Sequence, residues 1–185
     1  MTATKLPELL SWVVDSDTAD PQRQQRLAEL RRDRVSRPVI YVGAGTCGLG
    51  AGAQETLTAI HEYLDKNEIK ADVVKVGCIG LCSAEPLVDI QLPGRTRVSF
   101  KHITGAKVVS LLSSVLTGKM PEDLVLGQHR NESLEPWLDV AYLDEHPFFA
   151  PQTRWVLTNC GLVDPSQMDE YIARGGYKAL VKALR

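Results

Sequence analysis

The order of apolar segments between residues 37 and 120 constrains the fold more than any other feature of this sequence. The predicted elements are a strand at 39–42, a helix at 51–66, a strand at 71–76, a hairpin at 86–91 and 97–100, and a helix at 104–116. A strand, a crossover helix and a second strand make a parallel pair, and a hairpin adds antiparallel strands at the edge. The order therefore predicts an α/β domain built on one mixed sheet.

This arrangement is typical of a thioredoxin-like domain, which we place at residues 37–120. N-terminal helices are expected within residues 1–36, at 5–15 and 21–35. Residues 121–150 are rich in turn formers and charge and are predicted to form an extended linker. A C-terminal helical extension is expected at 151–185, with helices at 151–157, 165–174 and 177–185.

The composition argues against nucleic acid and membranes as binding partners. The chain has 21 basic and 23 acidic side chains, and its formal charge of -2 provides no basic surface that would favour nucleic acid. Nothing approaches the roughly 18 consecutive apolar residues of a membrane span, and the N-terminus lacks the pattern of a signal peptide. We therefore expect a cytoplasmic protein with no membrane insertion.

Three of the four cysteines lie in two special loops. Cys47 belongs to the glycine-rich loop after the first strand, and Cys78 and Cys82 belong to the loop after the second. Loops that leave neighbouring parallel strands at the same end can bring their thiols together. Cys160 lies apart, beside apolar residues, and is predicted to be a small buried hydrophobic side chain. The four histidines are each isolated in the sequence.

Three segments of the chain stand out: GTCGLGAGA, VGCIGLCSAEPLV and HPFFAPQTRWVLTNCGLVDPSQMDEYIARGGYKALVKAL. In this order, they resemble the flavin-carrying subunit family of NADH dehydrogenases and NAD-linked hydrogenases. The resemblance spans roughly residues 37–185. It implies a thioredoxin-like ferredoxin domain that transfers electrons through a [2Fe-2S] cluster. The implied cluster ligands are Cys47, Cys78 and Cys82, and Pro86 would follow a cis peptide bond.

The same resemblance implies that residues 151–185 are the start of a truncated or absent FMN- and NADH-binding domain. The only dense glycine loop holds Cys47, so we expect no FMN or NAD on this chain alone. Its expected partners are a flavoprotein or other subunits of a redox complex, with a homodimer as a further option. The chain is not expected to catalyse a reaction by itself.

The first cysteine loop departs from the family pattern. Such ferredoxin domains usually carry two cysteines there, with four residues between them, whereas residues 39–53 contain Cys47 alone. A fourth ligand would have to be a noncysteine side chain, Cys160 or a residue of a partner chain. Three alternatives stay open: a cluster-free docking or assembly element, thiol redox chemistry at Cys47 before a helix, and a zinc site.

Overall fold

The computed structural model describes residues 6–14 and 20–184, which belong to two compact units. Residues 35–162 form the larger unit, and residues from 1–34 and 163–185 form the smaller one. Among the described residues, no helix is both long and apolar enough to cross a membrane.

The larger unit is built on a five-stranded mixed sheet. Its strands are β1 (Val39–Gly43), β2 (Asp72–Val76), β3 (Val88–Gln91), β4 (Val98–Phe100) and β5 (Val125–Gln128). The order across the sheet is β2-β1-β3-β4-β5, with β1 parallel to β2 and every other pair antiparallel. The predicted α/β class and thioredoxin-like arrangement are confirmed, with β5 added at one edge.

Two helices cover one face of this sheet. They are α4 (Ala53–Lys66) and α5 (Gly105–Val115), preceded by the short helix α3 (Thr46–Gly50). In α4, Leu57, Ile60 and Leu64 recur on one side and are all buried, as a helical period of 3.6 residues requires. They pack with the apolar side of α5 and with the inner strand residues in a single core cluster.

The opposite face of the sheet carries a buried polar group. The guanidinium of Arg97 lies 3.6 Å from the ring centroid of Tyr41 and donates a hydrogen bond from Nε to Asp89 at 2.8 Å. Arg97 also donates to the carbonyl of Gly161 at 2.6 Å. His129 Nε2 lies 3.4 Å from the Asp89 carboxylate. These contacts connect the sheet to the end of the 151–162 segment.

The structure differs from the sequence prediction in residues 121–162. Residues predicted as a linker contain β5, which pairs with β4 through an irregular register. The buried side chain of Gln128 explains this order, because it accepts a hydrogen bond from the Trp137 N–H and donates to the carbonyls of Trp137 and Val140. Residues 151–157, predicted as a helix, form turns, and Trp155 there is largely exposed.

The smaller unit is helical. Its helices are α1 (Leu6–Val14), α2 (Pro21–Arg31), α6 (Met168–Ala173) and α7 (Lys178–Leu184). Each lies within a predicted helix but is shorter, and residues 5, 15 and 185 of those predictions lie outside the described residues. Leu9, Leu27 and Ile172 form its core, and Arg32 pairs with the buried carboxylate of Glu170.

Candidate metal centre

The first cysteine loop is a sharp turn from β1 into α3. Cys47 is the second residue of α3, four residues after β1 ends at Gly43. A Cβ added to Gly48 would lie only 2.1 Å from the carbonyl oxygen of Gly43, so the turn requires glycine at this position. The tight turn holds Cys47 close to the end of the strand.

The second loop folds back on itself between β2 and β3. Gly80 adopts a φ of 99°, which favours glycine, and its N–H donates to the sulfur of Cys78 at 3.2 Å. The loop continues into a single 3₁₀ turn, Cys82–Ala84. As a result the sulfur atoms of Cys78 and Cys82 lie 3.8 Å apart.

The two loops meet at one end of the sheet. A Cβ added to Gly45 would lie 3.1 Å from the Cβ of Cys78, which shows how closely the loops approach. The sulfur atoms of Cys47, Cys78 and Cys82 all lie within 4.8 Å of one another. The three side chains selected from the sequence are therefore brought together, whereas Cys160 is not part of this group.

The spacing of these sulfur atoms suits a metal. Two thiolates on one tetrahedral ion, each about 2.3 Å from it, lie about 3.8 Å apart, as the sulfur atoms of Cys78 and Cys82 do. Burial, together with the neighbouring thiol of Cys47, raises the pKa of Cys78 to about 12. A metal that binds here must therefore displace a thiol proton.

One buried acid beside the cysteines was not selected from the sequence. Glu85 is only 6% exposed, and its Oε1 lies 3.8 Å from the sulfur of Cys47. Its Oε2 accepts a hydrogen bond from the Leu87 N–H at 2.7 Å. Burial raises the pKa of Glu85, although the hydrogen bonds from Leu87 and Cys47 oppose the shift. The available sequence signal was an acidic residue directly before Pro86 and a buried strand.

The predicted cis peptide bond is confirmed between Glu85 and Pro86. It lies at the point where the second cysteine loop enters β3.

No family model matches this chain. Its relatives include subunit HndB of the NADP-reducing hydrogenase of Solidesulfovibrio fructosivorans, at 26% identity over 105 residues, which are 56% of this chain and 83% of the relative. This similarity confirms the resemblance to a hydrogenase-type subunit that the motifs indicated.

Among the solved structures that are similar to part of the chain are two from one organism. One is described as a thioredoxin-like [2Fe-2S] ferredoxin from Aquifex aeolicus, with 16% identity and a TM-score of 0.45, covering 55% of this chain and 100% of the other. The other is a wild-type structure of such a ferredoxin from the same organism, with 17% identity, a TM-score of 0.43 and coverages of 50% and 99%.

Proposed function

We propose that this chain is an electron-transfer module of a hydrogenase-type or NADH dehydrogenase-type oxidoreductase, with Cys47, Cys78 and Cys82 as ligands of a [2Fe-2S] cluster. The observation that carries the proposal is the convergence of three sulfur atoms, from two loops, within 4.8 Å. The similarity to a subunit of an NADP-reducing hydrogenase supports the same assignment. When bound, such a cluster supplies one-electron oxidation and reduction.

In this function the chain positions the cluster ligands and sets the environment around them. Backbone N–H groups that donate to ligand sulfurs tune the reduction potential of a cluster. Gly80 makes such a contact to Cys78. Cys82 is exposed while Cys47 and Cys78 are half-buried, so the centre reaches the surface on one side. A partner that exchanges electrons with this chain would approach from the Cys82 side.

The test is the metal content of the purified chain. We expect about two irons and two acid-labile sulfides per chain, with absorption between about 400 and 600 nm, after anaerobic purification from cells with intact cluster assembly. Replacing Cys47 or Cys82 with serine should lower both contents, whereas Cys160→Ser should leave them unchanged. Iron-free and sulfide-free protein under these conditions would contradict the proposal.

The number of converging cysteines supports a second candidate, a cluster-free docking or assembly element within a redox complex. Only three sulfur atoms converge among the described residues, whereas a [2Fe-2S] cluster usually takes four thiolates. A colourless, folded chain would favour this function. One zinc ion per chain in the same metal analysis would instead identify a structural zinc site, since three thiolates and one further ligand suit that ion.

The partners and the location complete the proposal. We propose a flavoprotein or another subunit of the redox complex as the electron partner, in the cytoplasm. Self-association into a homodimer stays a prediction.

A further inference from the structure

We infer that Glu85 is the fourth protein ligand of the metal centre, with its Oε1 completing a second donor pair beside Cys47. This inference rests on the proposed function, since it names the ligand that the cysteines leave missing. It concerns a side chain of the second loop that lies against the cysteine of the first.

The four donor atoms lie together, and a [2Fe-2S] cluster would take them as two pairs. Cys78 and Cys82 make the first, with their sulfur atoms 3.8 Å apart. Cys47 and Glu85 make the second, with sulfur and oxygen also 3.8 Å apart. A carboxylate oxygen and a thiolate on one tetrahedral ion lie about 3.6 Å apart, given metal distances of about 2.1 and 2.3 Å. Two pairs of ligands, one for each iron, are what a [2Fe-2S] cluster requires.

The carboxyl group of Glu85 is held in place for this role. The Leu87 N–H binds Oε2 at 2.7 Å, which leaves Oε1 directed toward the thiol of Cys47. Space for the group comes from two glycines of the first loop. A Cβ on Gly43 would lie 2.9 Å from Oε2, and a Cβ on Gly48 would lie 3.2 Å from it. Side chains at these positions would displace the carboxyl group.

The surroundings of Glu85 are compatible with a cation at this place. Glu85 is only 6% exposed, and no described lysine, arginine or histidine side chain forms an ion pair with it. A bound metal ion would therefore be the cation that faces this carboxylate when it acts as a ligand. The chain's other cysteine, Cys160, lies outside the converging group, whereas Glu85 contacts Cys47 directly.

The test compares Glu85→Gln and Glu85→Cys with the unaltered chain, purified anaerobically. Glutamine keeps the shape of the side chain and an oxygen that can accept from the Leu87 N–H, but it has no negative charge with which to bind the metal. We therefore expect cluster retention after exposure to a chelator to fall about tenfold or more. Glu85→Cys should restore cluster retention. It should also move the absorption bands, and the electron paramagnetic resonance g-values of the reduced cluster, toward those of a four-thiolate cluster. Glu62→Gln, on the exposed side of α4, is the matched control.

The outcomes separate this inference from the proposed function. Iron, sulfide and g-values that stay unchanged in both Glu85 variants would overturn the ligand assignment while leaving an electron-transfer cluster in place. Absence of iron and sulfide from the unaltered chain would overturn both claims. If the glutamine variant fails to fold, judged by circular dichroism, the spectrum of the cysteine variant decides, and a spectrum identical to that of the unaltered chain would refute the assignment.

Discussion

Acidification should weaken the larger unit through the buried ion pair of Asp89 and Arg97. Burial alone would raise the pKa of Asp89, but the charge of Arg97 and the contact with His129 lower it to about 2 from an ordinary value of 3.8. A carboxyl whose pKa is lower in the folded state adds stability above its unfolded pKa and loses it as the pH falls. The shift in pKa corresponds to about 2 kcal/mol of unfolding free energy at neutral pH, of which about 1 kcal/mol is lost by pH 3.

The Asp89→Asn variant isolates this contribution. It leaves the guanidinium of Arg97, which is 8% exposed, without its counter-charge, so we expect a loss of about 3 to 5 kcal/mol at pH 7. Because asparagine does not titrate, the stability gap between the two proteins should narrow by about 1 kcal/mol at pH 3. Burial also lowers the pKa of His129, so unfolding of both proteins should become easier below about pH 6.5.

The assay is urea unfolding followed by tryptophan fluorescence at several pH values. Asp144→Asn is the matched control, because both side chains of the Arg130–Asp144 pair are exposed and a solvent-screened pair contributes little to stability. A stability gap between the unaltered chain and Asp89→Asn that is the same at pH 3 and pH 7 would refute the assigned role of Asp89.

Two further substitutions test the local packing. Gly48→Ala should destabilise the chain by about 1 to 3 kcal/mol and lower its iron content, because the new Cβ would collide with the carbonyl of Gly43. Gly50→Ala, whose Cβ meets nothing within 4 Å, should change neither thermal unfolding nor iron content by much, and equal effects of the two would contradict this account. Gln128→Leu should cost about 3 kcal/mol or more in urea unfolding, because it leaves three buried backbone groups unpaired. Gln54→Leu, on the exposed side of α4, is its control, and a comparable loss there would argue against the buried role of Gln128.

The 121–150 segment shows where sequence patterns stop being sufficient. Its strand β5 is only four residues long, contains Gly127 and is bordered by charged and turn-forming residues. Nothing in that pattern separates it from a loop. The strand depends on pairing with β4 and on the hydrogen bonds of Gln128 to residues 9 and 12 positions later. Such contacts exist only once the chain has folded back.

Periodicity and strand order determined the framework of this protein. The apolar runs of β1 and β2 and the amphipathic α4 between them predict a parallel pair, and a parallel pair places the loops of Cys47, Cys78 and Cys82 at one end of the sheet. Only the tertiary structure decided how near these sulfur atoms come and which other group joins them. Glu85 reaches Cys47 across 38 positions of sequence because Gly43 and Gly48 leave room for its carboxyl group, and no local pattern encodes that fit.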